Sequence, residues 1–176
     1  ARQAAAIARA NASAQAQPVQ LAATKGVGVV SWATPIKINA MQVPIKEKAN
    51  LLLDANAAAL SAGANFINSQ MFLVNEQKYF ASRDGSYIDQ DIHRIWPAFT
   101  VTAIDKATGK FRTRNSLSSP MGMGYEYLDG KRNILLPNGL VAYNASFNLH
   151  EEAVAAAKQA HEKLSAPSVK PGKYDL

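Results

Sequence analysis

His93, His150 and His161 are the residues whose chemistry would count most if their spacing served it. A zinc peptidase helix needs two histidines four apart with a glutamate between, so that both imidazoles reach one metal. His150-Glu151 leads to Val154 and His161-Glu162 leads to Ser165, so neither closes such a site. His150 and His161 stand about three helical turns apart and cannot share an ion. His93 sits beside Arg94, which disfavours a second cation. Asp89 and Asp91 share a strand face, a spacing that suits a hard cation; on an edge strand the same pair is ordinarily solvated. Cysteine is absent, which removes thiolate and disulfide chemistry. No catalytic residue and no metal ligand is assigned to this chain.

Binding groups are easier to find. Arg112 and Arg114 lie two apart on an expected strand, a spacing that can grip a carboxylate or phosphate. Gly122 and Gly124 permit a close backbone approach or a bend, and Tyr125 follows them. A sheet edge reads backbone rather than side chains, so it suits a peptide of variable sequence. Arg112, Thr113, Arg114, Gly122, Gly124 and Tyr125 are therefore the candidates for peptide contact. Lys25-Gly26-Val27-Gly28 is glycine-rich but lacks the Gly-Lys-Ser/Thr ending of a phosphate loop.

The elements that must hold these residues follow from periodicity. Residues 64–105 are the densest strand-forming run. In it Phe66, Asn68, Gln70, Phe72 and Val74 share one face, and Ile67, Ser69, Met71 and Leu73 the other. Asn75-Glu76-Gln77 reads as a turn and residues 78–82 as a returning strand. Ser82-Arg83-Asp84-Gly85 is a hairpin signal, because glycine supplies positive φ. The next strand starts at Ser86, with Pro97 expected to interrupt its ladder. Residues 111–117 and 125–128 read as further strands, and 129–147 as an inserted hairpin or loop.

Two helices flank this run. Pro44 opens the first, with Ile45, Ala49, Leu52, Leu53, Asn56 and Leu60 as its apolar stripe and Gly63 ending it. Burial of that stripe predicts that Leu53→Ala costs about 2–5 kcal/mol. Asn148 with Glu151 forms a capping box for the second, whose small apolar face is Leu149, Ala153, Val154, Ala157, Ala160 and Leu164. The fold expected is α+β: an antiparallel meander of five or six strands with both helices packed on one face.

Composition agrees with a folded domain: 176 residues, 48% hydrophobic and 18% charged. No apolar run approaches membrane-helix length, so no membrane partner is expected. The net charge of +6 permits nucleic-acid binding, but no basic run or basic–aromatic stripe supports it. Residues 1–17 read as the end of a preceding helical domain, 18–42 as a linker, 43–166 as a middle α+β domain, and 167–176 as the start of a following domain.

The stretch GANFINSQMFLVNEQKYFASRDGSYIDQDIHR, with PMGMGYEYL behind it, resembles the middle region of the TldD/PmbA family, also called modulator of DNA gyrase, and its TldD-type members in particular. The closing APSVKPGKYDL resembles the junction before that family's catalytic domain. The resemblance implies a zinc metallopeptidase acting on unfolded or modified peptides, often with a related second subunit as a homo- or hetero-oligomer, and a cytoplasmic location. It implies that zinc belongs to the full-length parent, on a His-Glu-three-residues-His motif past Leu176, and that this segment binds none. The segment would then shape the substrate chamber or the subunit interface. The alternative is a non-enzymatic module binding protein or nucleic acid.

Overall fold

A computed structural model describes residues 1–14, 17, 22–129, 146–167 and 169–173. The sheet is organised on one long strand, β3 (Ser86–Ile104). Helix α1 (Arg2–Ser13) buries no residue. The remaining elements are β1 (Gly28–Ala33), α2 (Ile45–Ser61), β2 (Phe66–Ala81), β4 (Phe111–Asn115), a 3-10 turn (Tyr125–Asp129) and α3 (Leu149–Ser165). Among the described residues no helix is long and apolar enough to cross a membrane.

β2 pairs antiparallel with β3 along its whole length, from Phe66 opposite Thr102 to Ala81 opposite Tyr87. The hairpin between them closes as the sequence predicts: the Ser82 N–H donates to the Ser86 carbonyl, and Gly85 has φ +89°. The other edge of β3 is shared. β1 runs parallel to residues 86–91, and β4 runs antiparallel to residues 100–104. In the gap between them single groups take the place of a strand. The Thr34 hydroxyl accepts from the His93 N–H, Met121 exchanges both backbone bonds with Ile95, and the Ser116 N–H donates to the Phe99 carbonyl.

This sheet is α+β, as expected, but it is mixed and has four strands among the described residues, not a five- or six-stranded antiparallel meander. The physical reasons are specific. Asn75-Glu76-Gln77 is no turn: β2 passes straight through it, because each residue pairs on β3 and neither face there is covered. Pro97 does not interrupt β3. The alternation of the ladder turns its missing donor toward the gap between β1 and β4, where no strand needs one. Residues 125–128 form a 3-10 turn rather than a strand, closed by Tyr127 N–H donating to the Gly124 carbonyl. The stretch 18–42 expected to link contains β1, which is part of the sheet. Most of the 129–147 insertion lies outside the described residues.

α3 covers one face of β3 and β4, where Ile95, Phe99, Val101 and Ala103 are buried, and α2 lies beside it against α3 and β2. Both pack through alanines: Ala59, Ala153, Ala156, Ala157 and Ala160 are fully enclosed. Small side chains let the helix backbones approach the sheet and each other, so dispersion contacts are dense. The capping at Asn148 holds, its side chain accepting from the Glu151 N–H. Gly63 ends α2 with φ +105°. The stripe expected on α2 is corrected. Ala55 and Ala59 are buried, whereas Ile45, Leu53 and Leu60 are exposed. Two apolar stripes compete on this helix, and the alanine one wins because it fits against α3.

Burial in β3 begins at His93. Toward the hairpin, β1, β2 and β3 continue as a ribbon exposed on both faces, with Tyr79, Phe80, Tyr87, Val29 and Trp32 in solvent.

Candidate functional site on the open sheet face

The face opposite the helices carries the even-numbered side chains of β2 and β3. Phe66, Asn68, Gln70, Phe72 and Val74 stand opposite Thr102, Thr100, Ala98, Trp96 and Arg94. Asn115 of β4 joins them opposite Thr100. A strand whose apolar face is covered shows clean alternation into one core. Here the second face also carries aromatics, and no described element covers it.

A cavity of ≈360 Å³ opens on this face, lined by Asn68, Gln70, Trp96, Ala98, Phe99, Thr100, Asn115, Ser116 and Ser118. Its rim toward β4 is internally bonded. Thr100 Oγ1 donates to Asn115 Oδ1 at 2.9 Å, the two serine hydroxyls lie 2.8 Å apart, and Ser118 Oγ donates to the Pro97 carbonyl. Its β2 side is unspent: among the described residues the amides of Asn68 and Gln70 have no hydrogen-bond partner. Trp96 Nε1–H is enclosed and also without a partner. The Trp96 ring stacks on Phe72, with centroids 5.3 Å apart and planes at 26°. An aromatic platform beside amides that both donate and accept can hold a peptide unit and the side chain next to it. Its lining holds no acid or base to activate the serine and threonine hydroxyls.

The candidates named from sequence fall into different surroundings. Arg112 and Arg114 turn to the helix side of β4. The Arg114 guanidinium, on a residue only 8% exposed, donates to Glu152 and, at 2.9 Å, to Gln159. The outward carbonyls of β4 are occupied by cations: Phe111 by Arg112, Thr113 by Lys163, and Asn115 by Arg114. The Thr113 N–H stays on the open edge by the same alternation. A Cβ on Gly124 would overlap the Ile38 carbonyl, while one on Gly122 would meet only Thr34 Cγ2, at 3.9 Å.

Tyr125 lines another cavity, of ≈660 Å³, on the helix side with Pro44, Lys46, Glu47, Leu51 and Asp54. Burial raises the Tyr125 phenol pKa above its ordinary value, with the Glu47 charge adding to it. Beside it the Glu126 carboxylate ties the 37–38 loop down, accepting from Lys37 N and Ile38 N at 3.1 and 2.9 Å. Burial pushes the pKa of Glu126 up. The backbone N–H groups of Ile38, Glu126, Lys37 and Gly124 outweigh it, so the net shift is downward.

Sequence reading placed Asn68 and Gln70 on one face with Phe72 but gave them no role. The usable signal was two amides spaced two apart inside an otherwise apolar strand.

A model of the PmbA/TldA metallopeptidase central domain matches residues 39–166. The chain belongs to this family. No curated protein matches it. The PmbA/TldA match takes in α2, β2, β3, β4 and α3, while β1 precedes it and still pairs with β3. The family name implies a metal, and the described residues do not fit one: no group of three or more His, Cys, Asp or Glu is placed to hold an ion. His93 Nε2 has only Asp91 Oδ1, at 3.5 Å, and Asn75 Nδ2, at 3.2 Å, beside it. His161 Nε2 meets the Gly63 carbonyl instead. No step of hydrolysis is therefore routed through these residues.

Proposed function

We propose that this PmbA/TldA central domain is the non-catalytic part of a zinc metallopeptidase for unfolded or modified peptides, and that its open sheet face guides an extended peptide toward the catalytic domain. The observation that supports this is the unspent polar lining of the ≈360 Å³ cavity beside the Phe72–Trp96 stack. A substrate of variable sequence offers a constant feature, its backbone amides. The Asn68 and Gln70 side chains and the Trp96 N–H are matched to those amides rather than to any one side chain. Thr113 N–H adds one open donor on the β4 edge nearby. Arg112 stands on the other face of β4, its guanidinium on the Phe111 carbonyl, and has no part in this path. Arg114 serves the same path indirectly by fixing β4 to α3, and Gly124 and Tyr125 by packing the 124–125 backbone against the Ile38 carbonyl; Gly122 has no part in it.

A photoreactive amino acid at Asn68 of the full-length enzyme tests this. Substrate peptide should label there and not from the same group at Arg83, in the hairpin loop at the other end of β2. Labelling of nucleic acid rather than peptide at Asn68 would favour the binding-module alternative.

A further inference from the structure

The outer edge of β4 can donate hydrogen bonds but has no acceptor left. The Asp105 N–H donates to the Lys110 carbonyl and the Ser116 N–H to the Phe99 carbonyl, so the even residues of β4 turn their backbone groups to β3. Phe111, Thr113 and Asn115 turn theirs outward, and β4 pairs with no strand but β3 among the described residues. Each outward carbonyl is taken by a cation: Phe111 by Arg112 at 2.9 Å, Thr113 by Lys163 at 3.0 Å, and Asn115 by Arg114 at 2.7 Å. The N–H groups of Thr113 and Asn115 stay open. A bare edge normally offers donors and acceptors in turn, which suits another strand. Here an added strand would leave its own N–H groups unanswered, at the cost of an unmade hydrogen bond each.

The three cations differ in what they have left to give. Arg114 is enclosed and neutralised by Glu152. Arg112 and Lys163 are exposed, and neither forms an ion pair among the described residues. An ammonium carries three donors and a guanidinium five, so both keep donors after their carbonyl contact.

We propose that this edge is a carboxylate-binding site. One carboxylate oxygen meets the Thr113 N–H and the other the Lys163 ammonium, with Arg112 as the second cation beside them. An edge that only donates is satisfied by a group that only accepts, and an ionised carboxylate is such a group. The N–H and C=O of one strand residue leave the backbone on the same side. The ammonium seated on the Thr113 carbonyl therefore stands beside the Thr113 N–H, and two adjacent donors suit the two oxygens of one planar group. A peptide carries this chemistry at its C-terminus and on its Asp and Glu side chains. The site goes beyond the reading of the open face. That cavity takes neutral backbone, so it contributes equally to a peptide with or without a carboxylate and cancels in the ratio of their affinities.

The test uses the full-length protein at low ionic strength, where exposed charges are least screened. Three peptides share one glycine–alanine host and a neutral dye. One is amidated and has no acid, one has a free C-terminus, and one is amidated with a single internal glutamate. Binding is read by fluorescence anisotropy before turnover. At least one carboxylate peptide should bind about tenfold tighter than the neutral one, and which of the two does so identifies the source. Lys163→Met should bring the ratio to within about twofold. Thr113→Pro should do the same although it changes no charge, because it removes an outward N–H that the β3 ladder does not use. Thr113→Val keeps that N–H and should match wild type, with circular dichroism unchanged in all three variants. Equal affinity for the three peptides, a preference that survives Lys163→Met, or one lost in Lys163→Met but kept in Thr113→Pro would each overturn the proposal. Binding of a carboxylate peptide with none of the neutral one would support this site and count against the open face.

Discussion

Arg114 of β4 and Glu152 of α3 form an ion pair in which the two side chains are 8% and 17% exposed. The same carboxylate oxygen accepts from the Leu117 N–H at 3.0 Å, so one group fixes both a strand and the chain leaving it. Removing one member leaves an uncompensated buried charge. Glu152→Ala should therefore cost about 3–5 kcal/mol, read by chemical denaturation. Replacing both residues by Met and Leu should recover much of that loss. Equal destabilisation in the single and double variants would show that the packing, not the charge, holds α3 to β4.

Glu126 makes stability depend on acid. Its folded pKa lies below the ordinary 4.5. A depressed carboxylate stabilises the fold above its unfolded pKa, and that contribution is lost as pH falls through the folded value. Near neutral pH, Glu126→Gln should lower stability by about 1 kcal/mol, because hydrogen bonds to a charged acceptor are stronger. The gap between wild type and variant should close as pH drops below 4.5. A gap that stays constant into acid would contradict this.

Two glycines with the same sequence signal should behave differently. A Cβ at Gly124 would overlap the Ile38 carbonyl and come within 2.5 Å of Glu126 Oε2; at Gly122 the nearest atom is 3.9 Å away. Gly124→Ala should cost about 1–3 kcal/mol, and Gly122→Ala should leave the melting temperature nearly unchanged. Thermal melts of the two variants decide it.

Leu53 and Leu149 separate the expected core from the observed one. Leu53 is 61% exposed and Leu149 2%. Leu149→Ala should cost about 2–5 kcal/mol, and Leu53→Ala should stay within about 0.5 kcal/mol. This reverses the cost assigned to Leu53 from helical periodicity.

Local signals in the sequence were reliable where their physics is local. The Ser82–Gly85 hairpin, the Gly63 stop and the Asn148 cap depend on backbone torsions and on bonds between near neighbours, so a few residues specify them. β1 was hidden because its partner lies far along the chain, and its residues are exposed on both faces, which erases alternation. The polar run at Asn75–Gln77 imitates a turn for the same reason. At Tyr125–Leu128 an alternating apolar pattern suits a strand, but Gly124 and the pull of the 37–38 N–H groups on Glu126 curl it. The Asn68–Gln70 side of the cavity was visible as a face. Its partners Ser116 and Ser118 were not, since only the return of the chain across β3 brings them there.

The central claim is that the open face holds peptide backbone for chemistry performed elsewhere. Its most direct measurement is steady-state kinetics of the full-length enzyme carrying Gln70→Ala together with Trp96→Phe, on a series of peptides of increasing length. The substitutions keep the apolar stack and remove a free amide and an enclosed donor. KM should rise by about tenfold, the effect of losing about 1.4 kcal/mol of binding. The rise should be confined to peptides long enough to reach this domain, with kcat and metal content unchanged. An unchanged KM for long peptides, or an equal loss for the shortest ones, would contradict the account.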